Sequence, residues 1–141
     1  MKTAPCKFLV LAFLFVLVTS ASATLPPQIR PTNPDAFVGR WDGSWHSTTH
    51  GTSGPVWMTI QLPGGDDLLP AEFQYYFEGK PSSVFRGKWK FQNGELLLVS
   101  LDPPCFTKLP ISLHGDGNQQ KHEWNNTCTN NAGWSSLTRK R

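Results

Sequence analysis

Four histidines, a late pair of cysteines and six tryptophans are the side chains of this sequence with chemistry to offer. His46 and His50, in His-Ser-Thr-Thr-His, have the spacing of two metal ligands on one helix face. They fall where a strand runs into a loop and no carboxylate joins them, so no metal site is expected. Once Cys6 is set aside with the leader described below, Cys105 and Cys128 remain, and an even pair in an exported chain reads as a disulfide. There is no Gly-x-Ser-x-Gly elbow and no thiol left over, and the His and acidic residues are scattered without a spacing that selects an acid/base pair. The expectation is a protein that is not an enzyme and needs no cofactor. Asp66-Asp67 lies in a glycine turn and reads as a solvated loop, while Asn125-Asn126-Thr127 is a glycosylation acceptor if the source is eukaryotic.

What the aromatic residues can do depends on the elements that place them. In Ala36-Phe-Val-Gly-Arg-Trp-Asp-Gly-Ser-Trp-His46, one face at period two carries Phe37, Gly39, Trp41, Gly43 and Trp45. The other carries Val38, Arg40, Asp42, Ser44 and His46, so the stretch reads as a half-buried strand. Strand signals recur about every dozen residues from there to Lys140, separated by short turns and with no helical stretch. Eight candidate strands joined this way predict an all-β, eight-stranded antiparallel up-and-down barrel.

Two hairpins can be tested for register. A turn centred on Pro81 pairs Phe77 with Phe85, Tyr75 with Gly87, Phe73 with Trp89 and Ala71 with Phe91, and brings Glu72 to Lys90 and Tyr76 to Arg86. A turn at Asp116-Gly117 pairs Ile111 with His122, Leu113 with Gln120 and Leu109 with Trp124. The same register sets Cys105 opposite Cys128, within disulfide reach. A strict two-residue turn at Asn93-Gly94 sends Leu97, Val99 and Leu101 outward, beside the stems of Lys90, Lys88 and Arg86.

Residues 1–23 read as a secretory signal: Lys2 and Lys7, an apolar run from Phe8 to Val18, then Ala21-Ser22-Ala23. No second apolar segment follows, so one exported domain is expected, extracellular or, in a bacterium, periplasmic. From Thr24 to Arg141 there are 11 basic and 10 acidic side chains, which implies neither a nucleic acid nor an anionic membrane as partner. Residues 24–35 hold four prolines and read as an extended N-terminal arm ahead of a barrel domain over 36–141.

Gly39-Arg40-Trp41 resembles the Gly-x-Trp motif that opens the first strand of lipocalin and calycin barrels. Arg139 matches the basic residue of the last strand that packs over that tryptophan in the family. The resemblance implies a structural role for Gly39, Trp41 and Arg139, and a barrel interior able to hold a small ligand.

An eight-stranded barrel is either filled by its own side chains or leaves room for one small molecule. Trp45, Met58, Phe73, Tyr75, Phe85, Trp89, Gln120, His122 and Trp124 are the expected interior ligand residues, with Tyr75, Gln120 and His122 supplying polar contacts. The expected function is a secreted, non-catalytic binder of a small apolar ligand. The alternative is a filled barrel that engages a protein or glycan, through the proline-rich arm as in some protease inhibitors, or through an outward tryptophan such as Trp57.

Overall fold

The structure is a computed structural model and describes residues 25–141, so the signal-peptide reading lies outside the described residues. Ten strands follow one another: β1 (Gln28–Ile29), β2 (Gly39–Ser47), β3 (Ser53–Ile60), β4 (Leu68–Phe77), β5 (Lys80–Pro81), β6 (Phe85–Gln92), β7 (Glu95–Asp102), β8 (Ile111–His114), β9 (Gln119–Asn126) and β10 (Asn131–Arg139). Eight of them, all but β1 and β5, form a closed antiparallel barrel in up-and-down order. It closes through β8, which pairs with both β7 and β9.

The opening strand begins two residues later than its alternation predicts. Asn33 caps a short 3-10 turn, Pro34–Phe37, by accepting the Asp35 amide at 2.8 Å, and this turn drives the Phe37 ring into the core. No helix among the described residues is long and apolar enough to cross a membrane.

The β8–β9 hairpin has the predicted register, Ile111 opposite His122 and Leu113 opposite Gln120. Cys105 and Cys128 are joined at its far end, with Cα atoms 5.1 Å apart. Strand β8 itself is shorter than expected, because Pro103, Pro104 and Pro110 lack the N–H a ladder needs. Residues 103–110 run irregularly instead, held to β9 by an isolated bridge from Phe106 to Asn126.

The β4–β6 register differs from the one predicted. Phe73 faces Phe85, Ala71 faces Gly87, Leu69 faces Trp89 and Glu72 faces Arg86, a slip of four residues along β4. The chain reverses at Glu78-Gly79, both with positive φ (49° and 76°), and not around Pro81. Lys80-Pro81 folds back onto Phe77 and Tyr76, the Ser82 amide bonds the Tyr75 carbonyl at 2.8 Å, and one extra residue is taken up before β6 begins with Phe85 opposite Phe73. The slip is even, so each side chain keeps its predicted face.

Strand β7 leaves Asn93-Gly94 through a tight turn, which puts Leu97 and Val99 on the outside. A bulge between Lys88 and Trp89 then shifts the register, and Leu101 packs against the core where the strict alternation predicts it outside. Leu62 lies beyond the end of β3 and is exposed.

The up-and-down order gives the barrel two different ends. The 3-10 turn, the β6–β7 turn and the β8–β9 turn lie at one, where Phe37, Trp41, Leu69, Trp89, Leu96, Leu113 and Leu137 are sealed from solvent. The β2–β3 loop, the β4–β5 turn, the Cys105 segment and the β9–β10 loop gather at the other.

Candidate binding cavity

A cavity of about 340 Å³ opens at the second end. Its body is apolar: Trp45, Val56, Met58, Phe73, Tyr75, Phe77, Phe106, Leu109 and Trp124. Seven polar side chains join them, His50, Thr52, His122, Asn126, Thr129, Asn131 and Ser135, and no carboxylate, lysine or arginine does. The volume and the mostly apolar lining with few polar groups are those of small-molecule sites.

The aromatic walls follow from sequence-level choices. Trp45 donates its indole N–H to the Tyr76 carbonyl at 2.9 Å and meets Tyr75 and Trp124 edge-on at 6.1 and 6.4 Å. Trp124 donates to Ser135 Oγ at 3.0 Å. Both rings lie close to a glycine: a Cβ on Gly54 would collide with the Tyr76 carbonyl and crowd the Trp45 ring, and one on Gly133 with the His46 carbonyl and Trp124. The four-residue slip of β4 stacks Phe73 on Phe85 at 4.9 Å, and Phe106 closes edge-on over both at 5.5 and 5.3 Å.

Six of the nine expected interior residues line this space: Trp45, Met58, Phe73, Tyr75, His122 and Trp124. Three do not. Phe85 lies behind the Phe73 ring; Trp89, carried toward the sealed end by the same slip, is fully buried and donates to the Leu109 carbonyl at 3.0 Å. Gln120 is fully buried behind His122. Among the residues sequence reasoning did not select, Ser135 could have been found, since it shares an inward parity with Leu137 on β10. Asn126 likewise keeps the inward parity of His122 and Trp124 on β9, and Asn131 opens β10 opposite it. Phe106, His50, Thr52 and Thr129 come from irregular segments, where period two carries no information.

His122 is the polar group set deepest in the wall. Its Nε2 lies 3.0 Å from Gln120 Oε1, and burial holds its pKa down at about 3, so the ring is neutral across the ordinary range. Gln120 Nε2 is the one buried side-chain donor or acceptor among the described residues left without a partner. The rim is braced by hydrogen bonds from Ser47 Oγ to Asn131 Oδ1 at 2.6 Å and from the Ala132 amide to Thr49 Oγ1 at 3.0 Å.

At the sealed end Arg139 lies over the Trp41 ring, 4.2 Å from its centroid, and donates to the Val38 and Ala36 carbonyls at 2.6 and 2.5 Å. Trp41 donates to the Phe37 carbonyl at 2.9 Å. Gly39, at φ 130°, leaves the space beside the guanidinium that a side chain would crowd. Outside the barrel, Arg40 covers Trp57 at 4.3 Å and His46 stacks on Trp134 at 4.2 Å. His46 is thus on the outer face while His50 stands at the cavity mouth. Asn125 is exposed, and Lys88 and the Leu68 amide hold the Asp66 carboxyl below its ordinary range.

No protein-family model and no curated protein matches the sequence. Among solved structures the chain is similar to a redesigned beta barrel, at 18% identity and a TM-score of 0.57, over 76% of this chain and 94% of that one. This likeness is one of fold: two β-barrels of different sequence.

Proposed function

We propose that this chain is an exported, lipocalin-like binding protein that holds a small apolar ligand in the open half of its barrel and catalyses no reaction on it. The observation that carries the reading is the cavity of about 340 Å³ walled by Trp45, Phe73, Tyr75, Phe106 and Trp124. Arg139 over Trp41, next to Gly39, is the arrangement that relates the chain to lipocalin and calycin barrels. The Cys105–Cys128 disulfide is compatible with an extracellular or periplasmic setting.

The arm offers less support for the protease-inhibitor alternative, because its described residues are engaged with their own barrel. The Pro26 carbonyl accepts from His114 Nδ1 at 2.9 Å, Gln28 Nε2 donates to Glu95 at 2.7 Å, and Arg30 donates to the Asn93 carbonyl at 2.8 Å. Tryptophan fluorescence during titration with a panel of apolar molecules and sugars tests the proposal. Saturable quenching by one or more apolar molecules, with none by sugars, is the expected result. A response to sugars alone, or to nothing in the panel, would count against it.

A further inference from the structure

We infer that the ligand is a neutral, flat apolar molecule carrying one hydroxyl, which docks between His122 on β9 and Ser135 on β10. This inference rests on the reading of the cavity as a ligand site. His122 and Ser135 are directly opposed across the two strands, both are buried, and both line the cavity. Their side chains therefore stand side by side on one wall.

The hydrogen-bonding capacity of the pair is only half used. Gln120 Oε1 accepts from His122 Nε2, which leaves Nδ1 as a bare acceptor. Nδ1 has no partner among the described residues and is not among the buried orphan atoms there, so it touches the space of the cavity. Ser135 Oγ already accepts from Trp124 Nε1, and its own O–H has no acceptor among the described residues. One wall thus presents an acceptor beside a donor, and a hydroxyl both donates and accepts.

The charge pattern points the same way. No lysine or arginine lines the cavity, and the buried His122 ring stays neutral, its pKa held at about 3. A carboxylate drawn into this wall would lose its hydration and meet no counter-charge. The aromatic walls set the other half of the preference, since edge-on rings around a narrow space favour a planar body over a branched chain.

Calorimetric titration of the disulfide-bonded protein with four matched probes tests this: naphthalene, 2-methoxynaphthalene, 2-naphthol and 2-naphthoate. The alcohol should bind roughly tenfold more tightly than the hydrocarbon or the ether, the gain of a hydrogen-bonded hydroxyl. The carboxylate should bind most weakly. Ser135→Ala and His122→Phe should each erode the alcohol's advantage, read as the ratio of 2-naphthol to naphthalene affinity within the same variant; the wild-type series decides the matter if either variant fails to fold. Equal affinity for alcohol, ether and hydrocarbon, or tightest binding of the carboxylate, would overturn the inference and leave the cavity reading standing. Binding of none of the four would overturn both.

Discussion

Trp41 and Trp89 are sealed from solvent near one end of the barrel, while Trp45 and Trp124 stand edge-on around open space at the other. The strands are the same ones, with the same alternation. The difference lies in what arrives from outside the strands. At the sealed end the 3-10 turn inserts Phe37, and Arg139 lies on Trp41 while binding two carbonyls of that turn and the residue after it. At the open end a disulfide and loops rich in Thr and Asn are tied to one another across the rim, and the one aromatic ring sent inward from the Cys105 segment, Phe106, packs on Phe73 and Phe85 in the wall and leaves the middle open. Strand pattern makes the barrel; the chain ends and loops decide which half is filled.

Exchanging residues between the two ends should give the largest contrast. Trp41→Ala empties a fully buried indole site and should cost about 4 kcal/mol. Phe77→Ala at the rim, where the ring is 44% exposed, should cost under about 1 kcal/mol. Urea denaturation measures both, and similar losses would erase the distinction between the ends.

Acid should act through the cavity wall. Folded His122 stays neutral to about pH 3, whereas the unfolded side chain takes up its proton from about pH 6.5. The unfolded state binds the extra proton in that window, so stability falls as pH is lowered through it, by about 3 kcal/mol at pH 4. His122→Phe should lose this part of the slope, whatever its absolute stability. Identical slopes for the two proteins between pH 6.5 and 4 would refute the burial of a neutral ring.

Removing the Cys105–Cys128 bridge, which spans 23 residues, should cost about 3 kcal/mol through the freedom returned to the unfolded chain. The same change should weaken apolar-probe binding, since Phe106 and Thr129 on the cavity wall flank the two cysteines. Paired denaturation and titration of the oxidised and reduced protein check this. A smaller loss than that of the bridge is expected of Arg139→Lys, which keeps the charge over Trp41 but loses the forked bonds to Ala36 and Val38, about 1 to 2 kcal/mol. It should leave probe affinity unchanged, and a large loss of affinity would mean that the two ends are coupled.

Much of this was legible in the sequence because two-residue periodicity survives errors of register. The four-residue slip of β4 moved Phe85 and Trp89 relative to the cavity, yet neither changed face. The slip itself was hidden because Glu78-Gly79 is a weaker turn signal than the proline three residues on, and the one extra residue taken up within Ser82–Val84 has no pattern of its own. The bulge at Lys88/Trp89 turned Leu101 inward for a similar reason. By contrast, the β8–β9 register and the Cys105–Cys128 pairing supported each other in one alignment. It holds from Ile111 to His114, then shifts by one residue at Phe106, opposite Asn126, so that the two cysteines are joined without the predicted Leu109–Trp124 ladder pair. The rim residues His50, Thr52 and Thr129 were illegible because loops position side chains by tertiary contact, not by repeat.

The indole N–H signals of the six tryptophans, followed in a two-dimensional nitrogen–proton NMR spectrum during titration with 2-naphthol, test the central claim most directly. The Trp45 and Trp124 signals should move in a saturable way while those of Trp41 and Trp89 stay in place. Movement of the sealed pair to the same extent, or no movement at the open pair, would contradict a barrel filled at one end and receptive at the other.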